Sequence, residues 1–169
     1  MHTLRPFRAL LAAIPLACIA LAAIPAAAAT STHTVQISAR LTVTHTAPPV
    51  CQAGVCVIRN HGTGTLAPYG PVTFTTMITA DTRQPPCGTG SQWLNRIIRT
   101  ITTSQGTLVL HEAGLLCPQP RLGGQVKAVW AADGTDSTGI FASARGQGSD
   151  TAYPQKNTAA PHGTLTLSR

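Results

Sequence analysis

The sequence has few aromatic residues and few acids, and both shortages limit what the protein can do. Aromatic side chains make up 4% of the 169 residues, and there are five Asp and Glu residues in all. Nucleic-acid binders usually combine stacking aromatics with a clustered basic patch. Acid–base and glycosidase chemistry usually needs paired carboxylates. The composition therefore argues against a nucleic-acid partner and favours a binding protein over an enzyme.

Long apolar runs are also scarce, with one exception at the N-terminus. Arg5 and Arg8 precede an apolar run over residues 9–24, and the small residues of "PAAAAT" follow it, as in a signal peptide. We expect residues 1–29 to be a signal peptide cleaved near Ala29, and residues 30–169 to form one secreted domain. The run is short for a stable membrane span. A retained N-terminal anchor and a lipoprotein modified at Cys18 are the alternatives.

Basic residues outnumber the acids, but they do not cluster. Twelve Lys and Arg residues against five acids give a formal net charge of +7. After residue 29 no two basic residues are adjacent, which is typical of a solvated basic surface. Net charge alone would still attract an anionic cell-envelope polymer.

The predicted secreted domain contains four cysteines, an even number that suits disulfides in an oxidising compartment. Cys51 and Cys56 bracket a short loop that contains a glycine. Cys87 and Cys117 lie in two Pro-containing loops that flank a predicted hairpin. We therefore favour the pairs Cys51–Cys56 and Cys87–Cys117, with loop-closure contributions of about 2 and about 3.5 kcal/mol. A zinc site is the alternative, although a C-x4-C spacing is not typical of one.

Helical periodicity is lacking, and apolar residues instead alternate with polar ones along several segments. The clearest are "HTVQISARLTVTHT", "PVTFTTMITAD" and "QVKAVWAA". Gly- and Pro-rich turns separate seven or eight such segments. This pattern predicts an all-β fold, either an antiparallel sandwich or a closed barrel.

The segment "GTDSTGIFASARGQGS", residues 134–149, places one Phe among four glycines. A phosphate-binding loop would need a following helix and usually a Lys, and neither is found there. We expect a structural corner of the fold instead. Gly139 would take a positive φ, Phe141 would fold inward, and Gly146 and Gly148 would let the chain bend or bulge as it re-enters the sheet.

No residue pattern indicates a metal or a cofactor. Asp133 and Asp136 share "DGTD", which is more typical of a plain turn than of a Ca²⁺ loop. His111 and Glu112 are neighbours on a predicted strand, so their side chains point to opposite faces. Glu112 is the acid that an enzyme built on this fold would use.

Three segments, in order, resemble small secreted bacterial proteins related to the allene oxide cyclase barrel. They are "HGTGTLAPYGPVTF", "TITTSQGTLVL" and "STGIFASARGQGS". The resemblance implies a calycin-like antiparallel barrel of about eight strands. It carries over no catalytic residue, because none of the cyclase positions can be matched. Ile140 and Ser143 also stand where those proteins have Arg and Gly.

Inward-facing apolar residues of such a barrel either fill its interior or line a cavity for one small ligand. We expect a secreted barrel that binds a small apolar ligand or a cell-envelope component. A cyclase- or isomerase-like enzyme that acts at the barrel mouth is the alternative. The candidate lining residues are Val35, Ile37, Leu41, Val43, Phe74, Ile78 and Trp130.

Overall fold

A computed structural model describes residues 31–83, 85–119 and 121–168. The predicted signal peptide, its cleavage site and Cys18 lie outside these residues. In the part of the chain that is described, no helix has the length and apolar character of a membrane span. The strands are β1 (Thr32–Thr46), β2 (Val50–Gln52), β3 (Val55–Ala67), β4 (Gly70–Asp81), β5 (Gln92–Thr103), β6 (Gly106–Cys117), β7 (Gln125–Ala132), β8 (Arg145–Tyr153), β9 (Thr158–Ala159) and β10 (His162–Ser168).

Eight of these strands close into an antiparallel barrel. Each of β3 to β8 pairs with the next strand in the chain, β8 also pairs with β10, and β10 pairs with β1. β1 pairs with β3 and closes the ring. β2 extends the hairpin with β3, and the short β9 bridges β1 and β8. The predicted all-β barrel of about eight strands is confirmed, and the sandwich alternative is wrong.

Both predicted disulfides are confirmed. Cys51 and Cys56 are opposite residues of the β2–β3 hairpin, whose two-residue turn has positive φ at Ala53 and Gly54, as a type I′ turn requires. Cys87–Cys117 ties the β4–β5 connection to the end of β6. The two bridges use all four cysteines of the described residues, so the zinc site proposed as the alternative for them is wrong. The two bridges suit an oxidising compartment outside the cytoplasm.

The barrel has one packed end, where the β3–β4 and β5–β6 turns lie. Large apolar side chains fill the interior there, and several are less than 2% exposed. Toward the opposite end the buried cluster is smaller and includes two alanines, Ala80 and Ala128. The packed cluster contains Ile37, Ala39, Leu41, Leu66, Val72, Phe74, Ile101, Leu108, Leu110, Trp130, Phe141, Ala144, Ala159, Leu165 and Leu167.

The connection between β7 and β8 closes the packed end. It contains a 3₁₀ turn over Gly139–Phe141, and Phe141 is 0% exposed. The Phe141 ring meets the Tyr69 ring edge-on at a centroid distance of 4.9 Å. Gly139 has a φ of +62°, and a Cβ at that position would overlap the carbonyl oxygen of Gln105. Glycine is therefore required at the point where the chain turns inward.

Gly146 and Gly148 have a different role from the predicted one. Both lie within β8, which pairs with β7 and β10 in unbroken register, so the chain neither bends nor bulges there. A Cβ on Gly148 would overlap the indole ring of Trp130. These glycines make room inside the barrel, because a ring of bulky side chains needs small residues opposite it.

Candidate functional site in the hollow end of the barrel

The end of the barrel away from Phe141 contains a cavity of about 400 Å³. This volume lies within the range of about 300–1,000 Å³ that is usual for small-molecule sites. Most of the wall is apolar, since the strands there present aliphatic side chains inward. Those residues are Val43, Ile58, Ile78, Leu94, Ile97, Leu116, Val126, Ala152 and Ala159.

A belt of polar side chains crosses the barrel where the cavity meets the packed end. Asn60, Thr76 and Arg99 are neighbours in register across β3, β4 and β5, and all three border the cavity. Asp150 of β8 borders it from the other side, and Glu112 of β6 is buried inside the barrel beside Arg99 without lining the cavity. We refer to these five residues as the polar belt.

Arg99 holds the polar belt together through ionic hydrogen bonds. Its Nε donates to Glu112 Oε1 at 2.6 Å, and one Nη donates to Glu112 Oε2 at 3.2 Å and to Asp150 Oδ2 at 2.6 Å. The side chains of Arg99, Glu112 and Asp150 are only 5%, 0% and 1% exposed. Asp150 Oδ1 also accepts the Ala160 N–H at 3.0 Å. Asp150 thus links the belt to the segment that joins β9 and β10.

Burial and charge act in opposite directions on these groups. Desolvation alone would lower the pKa of Arg99, but the nearby charges of Glu112 and Asp150 raise it above its usual value. Desolvation raises the pKa of Glu112, and Asp150 adds to the rise, although Arg99 opposes it. The three groups carry one positive and two negative charges when all are ionised, and burial raises the pKa of Glu112 despite its contact with Arg99.

The raised pKa of Glu112 predicts a stability that declines as the pH rises. The folded chain holds this proton more tightly than the unfolded chain, so the contribution is complete below the usual pKa of 4.5. It is lost as the pH rises through the higher pKa of the folded state. We expect Glu112→Gln to remove this decline, as measured by urea unfolding across a pH series.

Asp81 provides a control for the Glu112 prediction, because its pKa is lowered in the folded chain rather than raised. A side-chain hydrogen bond from Arg83 holds the pKa of Asp81 at about 2, below its usual 3.8. Its small contribution, from a half-buried side chain paired with an exposed arginine, is present above the usual pKa and is lost in acid. Asp81→Asn should therefore leave the decline above pH 4.5 unchanged. If the free energy of unfolding changes with pH in the same way for the wild type and Glu112→Gln, Glu112 is not the source of the decline.

Predicted lining residues divide between the cavity and the packed end. Val43, Phe74 and Ile78 border the cavity. Ile37, Leu41 and Trp130 lie in the packed cluster, and Val35 packs against it. The interior is therefore filled at one end and open at the other: four of the seven candidates do not border the cavity, and Phe74 belongs both to the packed cluster and to the cavity wall.

Sequence reasoning missed the charged members of the belt, apart from Glu112. Arg99 alternates with Ile97 and Ile101, which places a charge on the inward face of β5. A bulge between Leu94 and Ile97 reverses the alternation earlier in that strand. Asp150 similarly shares its inward face with Gly148 and Ala152. The available signal was a charged residue at a position that alternates with buried residues. In β5 the bulge interrupts this alternation, so the signal was not recognised.

A second polar cluster lies on the outer surface near the packed end. Potential ligand atoms of His111, Asp133 and Asp136 lie within 4.8 Å of one another. Asp133 Oδ1 already accepts the backbone N–H groups of Thr135 and Asp136 at 2.9 and 3.2 Å. Those bonds, the one from Asp136 most strongly, lower the pKa of Asp133. The geometry is that of an Asx turn at the surface.

The fold and the geometry of the site define a closed β-barrel with an internal cavity at one end. No family model, no curated protein and no solved structure matches the chain significantly. The relation to the allene oxide cyclase barrel therefore stays a prediction from the three sequence segments.

Proposed function

We propose that this chain is a secreted binding protein that holds one small, mainly apolar molecule in the hollow end of its barrel. The observation that carries this proposal is the contrast between the two ends. Large buried side chains pack one end, while the other retains a cavity of about 400 Å³ with an aliphatic wall. Two disulfides stabilise the elements around that end, as expected for a protein that works outside the cell.

A neutral apolar dye such as Nile red tests the proposal by fluorescence titration. We expect saturable binding with one dye per chain and a blue-shifted emission. Ala152 lines the cavity, so Ala152→Leu should reduce the affinity because the larger side chain occupies the same space. Ala131→Leu is the matched control, since Ala131 is exposed on the outer face of β7. Equal binding by the wild type and Ala152→Leu would contradict the proposal.

A cyclase- or isomerase-like enzyme is the second candidate, and one observation favours it. Glu112 is an inward-facing acid with a raised pKa next to the cavity, as a general acid would be. Both of its oxygens accept hydrogen bonds from Arg99, and Glu112 is not among the cavity-lining residues. Its contacts therefore support a role in the barrel interior better than proton transfer to a bound molecule.

A cell-envelope polymer is a further candidate partner. The support for it is the excess of basic over acidic residues, and several of the basic side chains are exposed on the outer face. Such an attraction would be long-range and sensitive to salt. It would add to binding in the cavity rather than replace it.

A further inference from the structure

The charges at the base of the cavity are unbalanced. Arg99 and Asp150 are the charged members of the described cavity lining, and Glu112 lies directly behind them. One guanidinium therefore faces two carboxylates in a region that is at most 5% exposed. When all three groups are ionised, a ligand group that reaches this base enters a site with an excess of negative charge.

Arg99 is already committed to the two carboxylates of the belt. Three of its hydrogen bonds go to Glu112 and Asp150, and its guanidinium carbon lies 6.0 Å from the centre of the Phe74 ring. A ligand carboxylate would be a third anion around one cation. It would lose its hydration and bring a further negative charge next to Glu112 and Asp150, which is unfavourable in a buried site.

Two oxygen atoms of the belt have no hydrogen-bond partner. They are Thr76 Oγ1 and Asn60 Oδ1, on adjacent residues of β4 and β3. Thr76 is only 5% exposed. Both residues border the cavity, so a polar group bound at the belt would lie next to them. Each oxygen can accept a hydrogen bond, and a buried acceptor without a donor is costly.

We propose that the cavity selects an aliphatic amine, with its ammonium group at the polar belt and its alkyl chain along the aliphatic wall. This inference rests on the proposed function, and it names the class of ligand. An ammonium group has three N–H donors and no acceptor. It can donate to Thr76 and Asn60, and its charge offsets the excess of carboxylates from Glu112 and Asp150. A neutral alcohol can donate a hydrogen bond to one of these oxygens, but it carries no charge to offset the carboxylates.

Calorimetric titration with three molecules of equal chain length tests this inference. The probes are decylamine, decanol and decanoate at about pH 7, where the amine is protonated and the acid is ionised. We expect decylamine to bind more tightly than decanol, and at least about tenfold more tightly than decanoate.

Two threonine variants provide the matched comparison on one strand. Thr76→Val removes the inward hydroxyl with little change in shape and should weaken decylamine binding severalfold. Thr75→Val makes the same change on the outer, exposed face of β4 and should leave binding unchanged. Neither variant removes a charge, so both should fold.

The outcomes separate this inference from the proposed function. Tighter amine binding that depends on Thr76 supports both. Equal or tighter binding of decanoate overturns the amine inference and leaves the apolar cavity as the binding site. An amine affinity that Thr76→Val does not change also overturns the inference. No binding of any of the three probes overturns the proposed function, and the inference with it.

Discussion

Replacing Arg99 with alanine is expected to destabilise the protein by about 3–5 kcal/mol, because it leaves buried carboxylates without their cation. Glu112 and Asp150 are 0% and 1% exposed, so water cannot replace the lost guanidinium. Asp150 also holds the Ala160 N–H, so the loss should spread to the β9–β10 segment. The measurement is the free energy of unfolding in urea.

Two further variants make the Arg99 result interpretable. Arg96→Ala removes an exposed arginine from the same strand and should change stability by less than about 0.5 kcal/mol. Adding Glu112→Gln to Arg99→Ala removes one of the two uncompensated charges and should recover part of the loss. If Arg99→Ala lowers the free energy of unfolding by less than about 1 kcal/mol, the ionic hydrogen bonds of the polar belt contribute little to stability and the prediction is wrong.

Replacing Phe141 with alanine is expected to cost about 3–5 kcal/mol, because the ring fills the packed end of the barrel. Phe141 is 0% exposed and contacts Tyr69 edge-on. The connection that carries it is bonded to the β5–β6 hairpin through Thr138, Ile140 and Gln105, so the chain cannot easily collapse into the space. Urea unfolding again gives the magnitude.

The neighbouring residue Ile140 is the control for Phe141. It is 37% exposed, and Ile140→Ala should change stability by about 0.5 kcal/mol or less. Dye binding by the folded Phe141→Ala variant should match the wild type, because the cavity lies at the opposite end. A loss for Phe141→Ala no larger than that for Ile140→Ala would contradict the role of the ring as a plug.

Alternation of apolar and polar residues was sufficient to predict the barrel strands, because a barrel wall has one dry and one wet face. In β1, the residues Ile37, Ala39 and Leu41 are buried, while Ser38 and Arg40 are exposed. Cysteine spacing was sufficient for the disulfides, since a short loop and a hairpin bring the right partners together. Such patterns depend on residues that are close in the sequence, so they can be interpreted without knowing the tertiary structure.

The site was less predictable, because it depends on which strands meet and at what stagger. Asn60, Thr76 and Arg99 are far apart in the sequence, and only the register of β3, β4 and β5 makes them neighbours. Arg99 and Asp150 are separated by 51 residues. Nor does alternation reveal which inward residues pack and which border a cavity, as Leu41 and Val43 show.

Corner glycines illustrate the same limit. Positive φ at Gly139 follows from a local turn and was predictable from the sequence around Phe141. The need for glycine at position 148 comes from the Trp130 ring on a neighbouring strand. A glycine in the sequence does not distinguish a turn from a close contact.

A crystal structure of the protein with decanol tests the central claim most directly. We expect one alcohol molecule inside the barrel, with its chain against Ile58, Ile78 and Leu94 and its hydroxyl within hydrogen-bond distance of Thr76. The packed end around Phe141 and Leu165 should contain none. An interior filled by side chains at both ends, or alcohol bound only to the outer surface, would contradict the account.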